Sequence, residues 1–239
     1  MTDDLLFSLR APTRRAWLAH CSLIVAGSMA VAALPSRAAS AASAATTPPL
    51  ILVVGDSLSA EYGLARGSGW VALLEQRLAH EKLAARVVNA SISGDTTAGG
   101  RSRLPALLAQ HKPSLVILEL GGNDALRGLP LASTQANLTA MARAAKASGA
   151  RVLVAGMQLP PNYGRQYGDD FVAVFAKVAQ SEGAALVPFL LKGVADGPQA
   201  DAMFQPDRIH PKEAAHPIML GNVWPVLRPL LRAVAAARP

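Results

Sequence analysis

The stretch Leu50-Ile51-Leu52-Val53-Val54-Gly55-Asp56-Ser57-Leu58-Ser59 decides how the rest of this chain is read. Five apolar residues, two of them valine, run without a polar break and stop at a glycine, as in a short strand buried on both faces. Similar runs recur at Arg86 to Val88, Leu115 to Leu120, Arg151 to Ala155 and Ala185 to Phe189. Between them, Trp70 to Leu78, Ala98 to Ala109, Ala136 to Ala147 and Phe171 to Ala179 carry apolar residues at helical spacing, and a last helix falls within Lys212 to Val234. Strand and helix therefore alternate through one domain. That order predicts an α/β fold, a parallel sheet with helices on both faces in three layers.

In such a sheet, ligands bind beyond the carboxyl ends of the strands. The loops expected there are polar and glycine-containing: Gly55-Asp56-Ser57-Leu58-Ser59, Asn89 through Gly94-Asp95, and Gly121-Gly122-Asn123-Asp124. A serine one turn beyond a rigid strand suits a nucleophile, whose placement must be held within about an ångström. Asp56 or Ser57 suits a helix cap equally well. Near the other end, Phe204-Gln205-Pro206-Asp207-Arg208-Ile209-His210-Pro211 places an acid three residues before a histidine. A turn there can bring the carboxylate onto one imidazole nitrogen and leave the other as a general base, although Asp207 also suits a cap. The Ser57 and Gly94 N–H groups and the Asn123 side-chain amide are candidate oxyanion donors; Gly94 and Asn123 are ordinary turn residues as well.

Taken in order, these blocks resemble the SGNH (GDSL) hydrolase family, with its four marker residues at Ser57, Gly94, Asn123 and His210. The resemblance runs from about Leu50 to Leu231. Met157-Gln158-Leu159-Pro160-Pro161-Asn162-Tyr163-Gly164 and Asn222-Val223-Trp224-Pro225 look like the branch that contains thioesterase I, lysophospholipase L1 and arylesterases. The resemblance implies a five-stranded, flavodoxin-like parallel sheet and an exported serine hydrolase acting on aryl esters, acyl thioesters and lysophospholipids. Residue by residue, it implies Ser57 as nucleophile, His210 as base, Asp207 as its orienting partner, and Ser57, Gly94 and Asn123 as the oxyanion hole. It implies no metal and no organic cofactor.

Other positions are less specific. Leu58, Ile92, Leu159 and Pro160 are candidates to line an acyl pocket or to pack beneath it. Glu61 either places a charge near the nucleophile or points into water. His216 is the rival base, six residues after His210, but lacks an acid at the same spacing. A carbohydrate O-acetyl esterase uses similar machinery on small acyl groups, and rates that rise with acyl length would separate the two. A non-catalytic ligand-binding module is disfavoured, since the first loop lacks the spaced glycines and lysine of a phosphate loop and Asp56 would repel phosphate.

The composition fits these expectations. With 51% hydrophobic and 16% charged residues, the chain can bury a core. The formal charge of +7 is scattered, with no basic cluster interleaved with aromatics, which argues against a nucleic-acid partner; the family resemblance implies a small-molecule or lipid-like acyl ester as substrate. Residues 1–38 have the layout of an export signal: Arg10, Arg14 and Arg15, the apolar stretch Leu23 to Leu34, and a small-residue cleavage step at Ser36-Arg37-Ala38 or at the Ala/Ser steps that follow. Thr13-Arg14-Arg15-Ala16-Trp17-Leu18 also resembles a twin-arginine signal. Residues 39–49 read as a linker and 50–235 as the hydrolase domain, with no later apolar run of spanning length and so no stable membrane insertion expected. Cys21, the single cysteine, would leave with the signal, so neither a disulfide nor a thiol nucleophile is expected.

Overall fold

The structure, a computed structural model, describes residues 47–237. The expected export signal over 1–38 and all but the last three residues of the expected linker lie outside the described residues. Five strands, β1 (Leu50–Gly55), β2 (Arg86–Asn89), β3 (Leu115–Glu119), β4 (Arg151–Ala155) and β5 (Ala185–Val187), form one sheet in the order β2-β1-β3-β4-β5. Every pairing is parallel. The five-stranded flavodoxin-like architecture expected from sequence is the one observed.

The central strands explain why their sequences are apolar without alternation. Ile51 to Val54 and Val116 to Leu118 are all fully buried, because helices cover both faces of the sheet. On one face α1 (Trp70–His80) packs against α7 (His216–Ala236); on the other lie α2 (Thr97–His111), α4 (Leu131–Ala147) and α5 (Arg165–Glu182). Each presents a narrow apolar stripe, such as Phe171, Val174, Phe175, Val178 and Ala179 of α5. Glu182, buried at the end of that stripe, is paired with Arg143 of α4 at 2.9 Å.

Several boundaries differ from the sequence expectation, each for a local reason. The fifth strand stops at Val187 because Pro188 cannot donate to a ladder. Helix α5 begins at Arg165, six residues before Phe171, since its first turn is mostly polar and gives no periodic signal. Gly122–Leu126, expected as loop, forms a short helix, α3, and Ala200–Met203 forms another, α6. The strand order reverses between β1 and β3, so the crevice for a ligand opens between the loops that follow these two strands. Among the described residues no helix is long and apolar enough to cross a membrane.

Candidate active site

The first loop is built on Gly55. A Cβ there would lie 2.7 Å from Glu119 Oε2 and 2.8 Å from Ser59 Oγ, so only glycine lets the end of β3 come this close. Glu119 is buried and accepts from Ser59 Oγ at 2.7 Å and from the Asp56 N–H at 3.3 Å. Trp70 Nε1 in turn donates to Ser59 Oγ at 3.2 Å. Asp56 Oδ1 accepts the Leu58 N–H at 3.0 Å and its carbonyl accepts from Ser59 and Ala60, which closes a tight turn. Asp56 is thus the cap of the turn, and Ser57 lies half-buried within it.

The last loop is equally local. Asp207 Oδ1 accepts the N–H groups of Ile209 and His210 at 2.9 and 3.0 Å, and Oδ2 lies 2.6 Å from His210 Nδ1. Capping and orientation are performed by different oxygens of one carboxylate. His210 Nε2 lies 2.9 Å from Ser57 Oγ, so residues 57, 207 and 210 meet in series. Burial alone would raise the Asp207 pKa, but the His210 N–H and imidazole and the Ile209 N–H outweigh it, bringing it to about 2.

Two contacts dock this loop on the first. Gln205 Nε2 donates to Tyr62 O at 2.9 Å and to Pro211 O at 3.2 Å, while its backbone N–H donates to His210 O at 2.8 Å. The Tyr62 ring rests on the His210 imidazole, centroids 4.3 Å apart. Gly63, at φ +70°, leaves space for the Gln205 amide, whose Oε1 would lie 2.2 Å from a Cβ. Phe204 and Pro211 form an antiparallel bridge across the base of the loop. Arg208, at φ 58°, takes up the left-handed step.

On the third loop, Asn123 sits in the first turn of α3 and its Nδ2 donates to Asp56 Oδ2 at 3.0 Å. Burial raises Asp56 to about 6, against the Leu58 N–H, the Asn123 amide and the charge of His210. Glu119 is pushed well above the carboxylate range by burial and by the charge of Asp56. Gly94, at φ +78°, lies on the second loop, which is held to the end of β1 by Ile92 N–H on Gly55 O at 3.0 Å. Arg127 Nη2 donates to Gly94 O at 2.8 Å.

The remaining candidates separate. Leu58 belongs to the hydrophobic core, Leu159 is half-buried against it, and Ile92 and Pro160 are exposed. Glu61 is turned toward its own loop, where it accepts from Gly67 N–H at 3.0 Å and Gly69 N–H at 2.8 Å. His216 is buried and accepts the Trp70 N–H at 3.0 Å through Nδ1. Glu119 and Gln205 escaped the sequence reading because their partners lie far away along the chain.

A hydroxyl, an imidazole and a carboxylate in series above a parallel sheet form the arrangement of serine hydrolases. The chain belongs to the GDSL-like lipase/acylhydrolase family, whose model matches residues 53–218, and is an ester-bond hydrolase of that family. It is 53% identical to esterase TesA of Pseudomonas aeruginosa over 210 residues, covering 88% of this chain and 99% of the relative. It is 42% identical to thioesterase 1/protease 1/lysophospholipase L1 of Escherichia coli over 181 residues, 76% of this chain and 84% of that one. The crystal structure of TesA superposes with a TM-score of 0.74 at 58% identity, covering 76% of this chain and 99% of the other.

Proposed function

We propose that this protein is an exported serine esterase and thioesterase that cleaves acyl esters through an acyl-serine intermediate. The 2.9 Å approach of His210 Nε2 to Ser57 Oγ, with Asp207 on the far nitrogen, carries the reading. Ser57 Oγ attacks the acyl carbonyl while His210 takes its proton. The oxyanion is held by the Ser57 and Gly94 N–H groups and the Asn123 amide. His210 then protonates the leaving alcohol or thiol as the carbon–oxygen or carbon–sulfur bond breaks, and water repeats the cycle on the acyl-enzyme. Asp207 orients the imidazole and stabilises its cation.

The substrate class follows the relatives, named as esterase, as arylesterase, and as thioesterase and lysophospholipase, which favours aryl esters, acyl thioesters and lysophospholipids. Export, to the periplasm or beyond, rests on the layout of residues 1–38, with a linker at 39–49 and the catalytic domain at 50–235. The test is intact mass of the purified protein with and without a fluorophosphonate probe, beside Ser57→Ala and His210→Ala. Labelling of the wild type alone, with the adduct on Ser57, is expected. A folded wild type that takes no label would overturn the reading.

A further inference from the structure

Arg103 lies in the middle of α2, a helix that contributes no group to the proposed mechanism, yet its guanidinium reaches the loops that do. Nε donates to Asp95 Oδ2 at 2.8 Å, Nη2 to Gly55 O at 3.3 Å, and Nη1 to Ala90 O. These acceptors bracket two of the proposed oxyanion donors: Gly55 stands two residues before Ser57, and Ala90 and Asp95 flank Gly94. The side chain is 20% exposed and its carboxylate partner 11%. Taking a guanidinium this far out of water is unfavourable unless its N–H groups are matched, and here each of its three nitrogens finds an oxygen.

The surrounding sequence makes room for the contact. A Cβ on Gly99 would fall 1.9 Å from Asp95 Oδ1, so glycine there is what allows Asp95 to turn toward Arg103. Asp95 Oδ1 is meanwhile fixed by the Thr96 N–H at 2.9 Å. Docking α2 on the sheet does not call for the arginine, because Leu104 and Leu108 of the same helix are buried in the core. What the guanidinium adds is a rigid fork between the end of β1 and the loop carrying Gly94. Gly94 itself has no side chain to anchor and a φ of +78°.

We propose that Arg103 is the positioning residue of the oxyanion hole: it sets the Gly94 N–H relative to Ser57 without touching substrate. The proposal rests on the serine-hydrolase reading and on Gly94 as an oxyanion donor. The guanidinium is required, since it brings three separate nitrogens to three separate acceptors where a lysine ammonium presents one. A misplaced donor weakens the transition state more than the substrate complex, so turnover and not substrate affinity should respond.

Arg103→Gln and Arg103→Lys, made in the full chain, are compared with wild type for kcat and KM on a short aryl ester, for inhibition by phenylboronic acid as a tetrahedral mimic, and for thermal unfolding. Arg103→Gln is expected to lower kcat by about 10- to 10²-fold with KM within about threefold, and to weaken boronate binding in parallel with kcat/KM. Arg103→Lys, which keeps the ion pair with Asp95, is expected to stay about tenfold below wild type and serves if the glutamine variant does not fold. Folded variants with a lower Tm but unchanged kcat and boronate affinity would show a structural role only and overturn the proposal. Failure of the underlying reading is visible separately, as a wild type that neither hydrolyses the ester nor takes the fluorophosphonate.

Discussion

Asn123 Nδ2 donates to Asp56 Oδ2 across 3.0 Å, joining the loop after β3 to the residue immediately before Ser57. One N–H of the amide is thereby fixed, and in the proposed mechanism the second donates to the oxyanion. Asn123→Ala is expected to lower kcat by about 10² to 10³ with little change in KM. Unchanged turnover on a good ester would remove Asn123 from the mechanism.

Asp56 predicts a pH dependence of stability. Its folded pKa, raised to about 6, exceeds the ordinary 3.8, so its protonated form contributes fully below about pH 3.8 and that contribution is lost as the pH rises through 6. Asp56→Asn removes the ionisation. Relative to wild type, the variant is expected to be more favourable at pH 8 than at pH 4.5 by on the order of 2 kcal/mol. Urea unfolding at the two pH values measures this, because any hydrogen bond lost with the carboxylate is common to both. Equal differences at both would contradict the raised pKa.

Glu119 should behave as a neutral acceptor. Glu119→Gln keeps an oxygen for Ser59 and the Asp56 N–H and is expected to change stability by less than about 1 kcal/mol. Glu119→Leu strands both donors and should cost about 2–4 kcal/mol. Chemical denaturation compares them; a glutamine variant as damaged as the leucine variant would mean that Glu119 carries a charge.

Gln205 ties the loop of the base to the loop of the nucleophile through Tyr62 O. Gln205→Ala is expected to reduce kcat roughly tenfold, the cost of a sub-ångström drift between Ser57 and His210. Gly63→Ala should act the same way by displacing the amide, and should cost a further 1–2 kcal/mol, roughly, for a side chain at φ +70°. A Gly63→Ala variant with wild-type kcat would show that the tie is dispensable.

The sequence was most legible where the physics is local or periodic. Leu50 to Val54 reads as a doubly covered strand because every side chain is apolar, and Asp207 to His210 reads as a unit because its contacts span three residues. It was least legible where distant partners decide the conformation. Gly121-Gly122-Asn123-Asp124 has poor helix propensity, yet α3 forms, with Asn123 held by Asp56 and with Asp124 accepting the Thr97 N–H at 2.8 Å. Glu61 illustrates a different limit. Either expected role looked outward, whereas the backbone N–H groups of Gly67 and Gly69 supplied partners that no pattern of side chains announces.

The last loop couples the acid to the base more tightly than either to the nucleophile. Asp207 and His210 are bonded to each other within a segment closed by the Phe204–Pro211 bridge, while the segment meets the serine side through the His210–Ser57 contact, the Gln205 amide and the Tyr62 ring. The acid and base therefore travel as one body. Any shift of the loop relative to Ser57 would therefore change the distance between nucleophile and base while leaving the imidazole oriented by its own carboxylate.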